Sequence, residues 1–406
     1  MHSPLTMGRV KCGFMTLAAL SVLLLVSVPP AHGQTETVLY SFQGSPDGAD
    51  PLGALVLDKE GNLYGVTGEG GARFYGTVFE LTPQGTETIL HSFGPNGGDG
   101  YDPLAGVVRD KKGNLYGTTI YGGAYGGGTV FKLTPSGSET ILFSFGANGT
   151  DGYSPTAPVV RDNKGNLYGT TTQGGPHGAG TVFKLTRKGS ETILHSFDAA
   201  IGDGSEPSGG VVLDKEGNLY GTTEFGGAYG CGNGYGCGTV FKLTPKGKET
   251  ILHSFNNNGT DGFYPLGGVV MDKNGNLYGT TLYGGAYSCF GYGCGTVFEL
   301  TPPGTETILY SLNRDNGTDG FNPFAGLVRD ETGNLYGTTF FGGAYSDGTV
   351  FEVTPSGTET ILSSFGSNGD GHLPSGGLVL DKKGNLYGTT AKGGAYGYGT
   401  VYKVTP

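Results

Sequence analysis

Residues 104–145 run through four short apolar stretches, each bounded by Gly, Pro, Asn or Asp. The first is Leu104-Ala-Gly-Val-Val-Arg-Asp110. A Lys111-Lys112-Gly113 turn leads into Asn114-Leu-Tyr-Gly-Thr-Thr119. A Gly-rich loop over 122–127 precedes Gly128-Thr-Val-Phe-Lys-Leu-Thr134, and Pro135-Ser-Gly137 turns the chain into Ser138-Glu-Thr-Ile-Leu-Phe-Ser-Phe145. β-branched and aromatic runs of this length between turn residues predict four strands, here named A to D. No window keeps a 3.6-residue apolar period, so no helix is predicted beyond residue 33. The apolar residues do not alternate cleanly. Val107-Val108 and Ile141-Leu142 put apolar side chains on both faces, as in a sheet packed between two similar sheets.

The unit recurs. Its Gly-Asn-Leu-Tyr-Gly marker places Asn at 62, 114, 166, 218, 276, 334 and 385. Seven copies of a four-stranded unit predict a radial β-propeller, in which each blade needs only its neighbours for a core. The run Glu36-Thr-Val-Leu-Tyr-Ser-Phe42 reads as a D strand before the first copy. Gly399-Thr-Val-Tyr-Lys-Val-Thr405 reads as a C strand with no D after it. An open array would leave an unpaired edge at each end. The expected fold is therefore all-β: a closed seven-bladed propeller of four-stranded antiparallel blades, spanning 34–406 as one domain, its N-terminal strand completing the last blade.

Residues 1–33 are expected to be a secretory signal peptide. Arg9 and Lys11 precede an apolar run from Phe14 to Val28, and small residues follow at Ala31 and Gly33. The run is shorter than the ~20 residues of a spanning helix, and no comparable segment follows it. The chain carries a net charge of −11. The leader is basic, so the remainder is more acidic still, which excludes nucleic acid and anionic membrane surfaces as partners. With 82 Gly and 21 Pro, the composition would suggest disorder if it lacked a period. Here the glycines recur at fixed places and read as turn residues.

The strand order resembles that of NHL and gluconolactonase-type propellers. The Gly-Asn-Leu-Tyr-Gly-Thr-Thr, Gly-Thr-Val-Phe and Glu-Thr-Ile-Leu elements together resemble the exported bacterial tandem-repeat family called GloVer, or choice-of-anchor, from about residue 36 to 406. Members of that family tend to carry a C-terminal surface-sorting segment, whereas this sequence stops at Pro406 inside the repeat. The resemblance implies the fold and export, and it carries no activity to transfer.

In this topology the D–A and B–C loops share one face. Every D–A loop carries Asp-Gly-x-x-Pro, giving a ring of Asp47, Asp99, Asp151, Asp203, Asp261, Asp319 and Asp370. A turn requirement repeats in this way and a site usually does not, so a structural role is preferred over a cation-binding rim. The B–C loops supply Phe74, Tyr75, Tyr125, Tyr229, Tyr287, Tyr345 and Tyr396, with His177 in the third copy. Tyr101, Tyr153, Phe263 and Phe321 join from the D–A loops. Aromatics with interspersed polar groups suit sugars or peptides. The alternative is that each ring packs on its own loop.

Copies four and five are enlarged on this face, in Tyr229-Gly-Cys231-Gly-Asn-Gly-Tyr235-Gly-Cys237 and Tyr287-Ser-Cys289-Phe290-Gly-Tyr292-Gly-Cys294. In an exported chain these cysteines are expected to pair. Cys231–Cys237 and Cys289–Cys294 are favoured, and a cross-blade pairing is the alternative. The candidate ligand-binding residues are Tyr125, Tyr229, Tyr235, Tyr287, Phe290, Tyr292, Tyr345 and Tyr396, with the two inserts foremost.

No nucleophile elbow, His-Glu-x-x-His or phosphate loop is present. His91, His195 and His253 share one D-strand position in separate blades, so they are expected to lie far apart and to form no metal cluster. No cofactor is predicted. Ca²⁺ on side chains such as Asp110 and Asn114 is the alternative to their bonding their own turn. The expected function is binding of an extracellular glycan or protein by a monomer, in the periplasm or outside the cell. A structural envelope protein and a lyase or lactonase are the alternatives.

Overall fold

Each repeat forms a four-stranded antiparallel sheet in the order A-B-C-D. In blade two these strands are Val108–Arg109, Leu115–Thr119, Thr129–Leu133 and Glu139–Ser144. Seven such sheets make up a seven-bladed β-propeller. The computed structural model describes residues 35–95, 98–232, 234–314, 317–367 and 369–406. Residues 1–33, expected from the sequence to be a signal peptide, lie outside the described residues. Among the described residues a 3₁₀ turn spans Ala199–Ile201 and there is no α-helix, and no helix is long and apolar enough to cross a membrane.

The repeated motif has a physical reason at each position. Asp110 ends strand A, and its Oδ1 accepts the N–H groups of Lys112 and Asn114. Its Oδ2 accepts from the Asn114 amide and the Tyr116 hydroxyl. The A–B turn is thus tied by one carboxylate, and these bonds hold that carboxyl below its usual range despite partial burial. In strand B, a Cβ on Gly117 would lie 2.6 Å from the Phe131 ring of strand C. Glycine is required there so that Phe131 can lie across the sheet. Thr119 and Thr129 then share a buried hydroxyl–hydroxyl bond of 2.8 Å, and the same pair recurs in every blade.

Blades meet ring to ring. Phe145, just past strand D of blade two, packs edge-on against Phe183 of blade three at 5.1 Å between centroids. Equivalent contacts join most other neighbours. Each buried ring contributes about 2 kcal/mol by area. At the axis, strand-B threonines reach carbonyls of the next strand A: Thr118 donates to Ala157, and Thr389 of blade seven donates to Gly53 of blade one. Strand A pairs over only two residues in blade two, shorter than the run Leu104–Asp110 suggests. Its first half is packed against other blades instead: a Cβ on Gly106 would collide with the Ala54 carbonyl of blade one.

The ring closes as the end strands predict. Thr35–Ser41 pairs antiparallel with Thr400–Thr405. Its register skips between Val38 and Tyr40, the same bulge that each blade shows between C and D. That bulge also explains Ile141-Leu142: the extra residue, rather than two buried faces alone, puts two apolar residues side by side. Phe42 is fully buried and meets Phe79 of blade one. Deleting residues 34–42 should lower the melting temperature by at least about 10 °C, and Phe42→Ala should destabilise by about 3–5 kcal/mol. Calorimetry is the check, and an unchanged melting curve would show that the clasp contributes nothing.

Candidate functional site

The D–A and B–C loops are knitted together on one face. Six blades pair them as two-stranded ribbons, as in Gly262–Phe263 with Tyr283–Gly284, and blade three does so by a single bridge between Tyr153 and Gln173. These ribbons were not foreseen from the sequence. The residue before each loop proline is left-handed without being glycine: Asp50, Asp102, Ser154, Glu206, Tyr264, Asn322 and Leu373 have φ of 54–59°. Such backbone persists only where the surroundings fix it. Here its N–H donates to the preceding blade's B–C loop, as Tyr264 does to the Cys237 carbonyl, and its carbonyl accepts from its own blade, as from Leu282. Seven different backbones are held alike while the side chains vary.

The Asp ring lies behind this position. Asp151, Asp203, Asp261, Asp319 and Asp370 are buried, and Asp47 and Asp99 half-buried. Their carboxylates accept backbone N–H groups across the loop, for example Gln43 and Gly48 at Asp47, and Gly94 and Gly100 at Asp99. They shape the loop, and Asp261 also lines the cavity between blades four and five. Phe263 and Phe321, expected in the aromatic rim, are also buried. The reason is the cysteine inserts, which pack over them.

All eight candidate aromatics are exposed: Tyr125, Tyr229, Tyr235, Tyr287, Phe290, Tyr292, Tyr345 and Tyr396. The structure separates them into two groups. Tyr125, Tyr345 and Tyr396, on blades two, six and seven, and Tyr229 and Tyr287, on the two inserts, lie outside the two chains of ring contacts described next. Tyr235 and Tyr292 end a chain of ring contacts, Tyr235–Phe225–Tyr264–Tyr283–Tyr292, with centroids 5.0–6.0 Å apart. A second chain runs from Phe290 through Phe321, Phe341 and Phe340 to Phe324, at 4.8–6.2 Å. Arg314 stacks over Phe290 at 4.2 Å. Phe225, Tyr264 and Tyr283 were missed in the sequence. Only the ribbon pairing and the left-handed Tyr264 bring them together.

Cys231 bonds Cys237, and Cys289 bonds Cys294, the pairing favoured by the spacing. Both inner cysteines have a second task. Cys237 offers its carbonyl to Tyr264, and Cys294 offers its own to Asn322, at 3.0 Å each. The bridges thus fix the anchors of two left-handed residues, one of them central to the aromatic network.

Three further features complete the face. A cavity of about 590 Å³ between blades four and five is lined by Tyr229, His253, Asn256, Asn258, Asp261 and Glu306. On blade four, Glu206 and Glu224 adjoin, and burial followed by Glu206 pushes the Glu224 carboxyl up to about 7. The axial channel, about 360 Å³, is lined by the starts of all seven A strands, with Gly, Ala, Leu, Ser and Val among them and no titratable side chain among the described residues.

A family profile described as the Gloeobacter/Verrucomicrobia repeat matches residues 24–235, 148–291 and 282–406. The chain belongs to this repeat family. Among curated proteins no sequence matches. Solved structures show the same fold at low identity. Virginiamycin B lyase from Staphylococcus aureus aligns with a TM-score of 0.59 at 11% identity, over 92% of this chain and 99% of that one. The extracellular domain of BT3049 from B. thetaiotaomicron aligns at 0.56 and 15%, over 92% of this chain and 41% of that one. PorZ, a surface component of the type-IX secretion system of Porphyromonas gingivalis, aligns at 0.53 and 15%, over 89% and 47%. This chain thus spans about half the length of the last two or less.

In this Gloeobacter/Verrucomicrobia repeat protein the blade junctions carry an unforeseen pattern. The Glu of each Glu-Thr-Ile-Leu faces the loop Asp that precedes its blade. Burial, then repulsion from that Asp, pushes Glu87, Glu191 and Glu36 up to about 7, against Asp47, Asp151 and Asp370 respectively. Glu359 is raised in the same way by burial and Asp319. Tyr40 and Tyr310 donate to the Asp at 3.0 Å, Ser363 donates to Glu36 at 3.1 Å, and Phe143 holds the same strand position between blades two and three. His91, His195 and His253 fill it elsewhere. They belong to three separate groups, and each meets an Asp and a Glu across its junction.

A carboxyl with a raised folded pKa binds its proton more tightly in the folded state, so its stabilising contribution is lost as pH rises from about 4.5 toward about 7. The turn aspartates act oppositely: theirs is lost only on acidification below the ordinary carboxylate range. The melting temperature, measured in chelator, should therefore be highest near about pH 5 and fall toward about pH 8. Glu191→Gln should shrink that fall. A flat or rising curve over this interval would contradict the buried carboxyl pairs.

Proposed function

We propose that this protein is an exported binding module that engages a glycan chain through the aromatic face of blades four to six. The observation that carries the reading is the ring network ending at exposed Tyr235, Tyr292 and Phe290, held in place by two disulfides. Aromatic faces stack on the C–H faces of sugars, and neighbouring hydroxyl and amide groups meet sugar hydroxyls. Rigid rings cost little entropy on binding. The disulfides favour an oxidising compartment, and the extracellular domain and surface component that share the fold fit the same location. The uncharged axial channel supports a binder over an enzyme with an axial site.

The test is affinity electrophoresis and calorimetry against a panel of plant and microbial polysaccharides. Tyr235→Ala, Phe290→Ala and Tyr292→Ala should each weaken binding roughly tenfold, equal to about 1.4 kcal/mol. Tyr125→Ala and Tyr396→Ala should change it less than about twofold. Equal losses at all five positions would remove the blade-four-to-six assignment. Binding of extended peptides with no polysaccharide binding would replace the glycan with a protein partner.

A further inference from the structure

We propose that His253, Asp261 and Glu306 form a binding site for zinc or a neighbouring first-row divalent ion at the junction of blades four and five. The three side chains come from strand D of blade four, the following D–A loop and strand D of blade five. His253 Nε2 lies 3.4 Å from Asp261 Oδ2 and 3.4 Å from Glu306 Oε2. Donors bound tetrahedrally at about 2.0–2.1 Å from a zinc ion lie about 3.3–3.4 Å apart. The same spacing is too long for a good N–H···O bond, which needs about 2.7–3.2 Å. His253 Nε2, buried from solvent, accordingly has no hydrogen-bond partner, as is also true of His91 Nε2, whereas the unpartnered Glu306 Oε1 repeats at Glu87, Glu139, Glu191, Glu249 and Glu359 and marks the junction in general. Asp261 is 8% exposed, and its Oδ1 is also unpartnered. Two carboxylates and one imidazole, each offering a ligand atom within 4.8 Å of the others, converge as a donor set that a cation could fill.

The other junctions serve as internal controls. Where the role is a structural bridge, the geometry tightens: Tyr310 donates to Asp319 at 3.0 Å. His195 does the same with Asp203 at 3.0 Å. His91 stays apart from Asp99 and Glu139, at 3.5 and 3.7 Å, and repeats the open arrangement less compactly. Only the His253 group borders the cavity of about 590 Å³ that Tyr229, Asn256, Asn258 and Thr260 also line. Three protein ligands beside such an opening leave a fourth position for water or a donor group from a bound molecule. Imidazole with carboxylates suits zinc and its neighbours better than calcium, which takes six to eight oxygens. The ion would also clamp the two blades that carry the disulfide inserts.

The test uses the full, tag-free chain in a His91→Phe/His195→Phe background, stripped with chelator. Phenylalanine is the natural occupant of this strand position at Phe143, so the background should fold. At about pH 7.5, where imidazole is mostly neutral, one equivalent of Zn²⁺ should bind by calorimetry, and Co²⁺ should give the intense visible absorption of a tetrahedral site. Adding His253→Phe should weaken Zn²⁺ binding by more than about tenfold and abolish the Co²⁺ bands, with the metal-free melting curve little changed. Glu306→Gln supplies the same test should the triple variant not fold. No Zn²⁺ uptake by the background, undiminished uptake after the third substitution, or binding of Ca²⁺ in place of Zn²⁺ would each overturn the site. None of these results bears on glycan binding by the aromatic face.

Discussion

The structure depends on one packing arrangement, repeated at six of the seven junctions, with the buried Leu312 in place of a ring between blades five and six. A phenylalanine from strand C lies flat across a strand-B glycine and meets a ring from the preceding blade's strand D. Remove the space at the glycine and the ring has nowhere to lie. Remove the ring and two sheets lose the contact that sets their separation. Each junction is local, so the seven are nearly independent in energy, yet together they must close a circle. The last junction can form only if blade seven has a strand D. The N-terminal strand supplies it in the register and with the bulge that the other blades use. Tyr402 replaces phenylalanine in that blade and still packs on Phe365 at 4.8 Å. The geometry of the contact matters more than the chemistry of the ring.

That rigidity is what makes the loop face usable. A left-handed residue other than glycine is costly, and the D–A loops carry one in every blade. It is tolerated because the blade junction holds both sides of the loop, through the buried Asp behind and the neighbouring B–C loop in front. The result is a fixed frame with one variable side chain per blade. In blades five and six the frame is reinforced by the disulfide of the preceding blade, and there the variable residues are Tyr264, packed in the ring network, and Asn322, whose amide donates to the Leu282 carbonyl. Specificity in such a protein is built by changing side chains on an unchanging backbone, as in other repeat proteins.

Much of this was legible in the sequence because repetition exposes geometry. The Gly-Asn-Leu-Tyr-Gly period gave the blade count. The half-units at the two ends gave the clasp, and the Cys spacing gave the bridges. What stayed hidden depends on contacts between copies. Glu139 belongs to blade two by sequence, and its partners His91 and Asp99 come from blade one and the loop after it. A repeat read one copy at a time cannot show that. Phe263 and Phe321 looked like rim aromatics because their loop is exposed elsewhere, and the inserts that cover them lie in a different loop. Tyr264 carried no signal at all, since its place in the network follows from a positive φ that only the structure reveals.

The junctions also separate structural need from added chemistry. Closing the ring requires something at the strand-D position that can sit above an Asp–Glu pair. Tyrosine, serine, phenylalanine and histidine all do so in this one chain. A position that accepts phenylalanine does not require an imidazole for folding. Histidine at that position therefore reflects either a hydrogen bond to the carboxyls or a use for the imidazole beyond packing. At His195 the hydrogen bond is made. At His253 it is not, and that group opens onto a cavity beside the first disulfide insert. The departures from seven-fold sameness thus gather in blades four to six: the inserts, the bridges, the aromatic network and the unsatisfied imidazole. A ring that needs none of them for closure has concentrated them on one side, as expected of a scaffold whose recognition surface is a sector rather than the whole face.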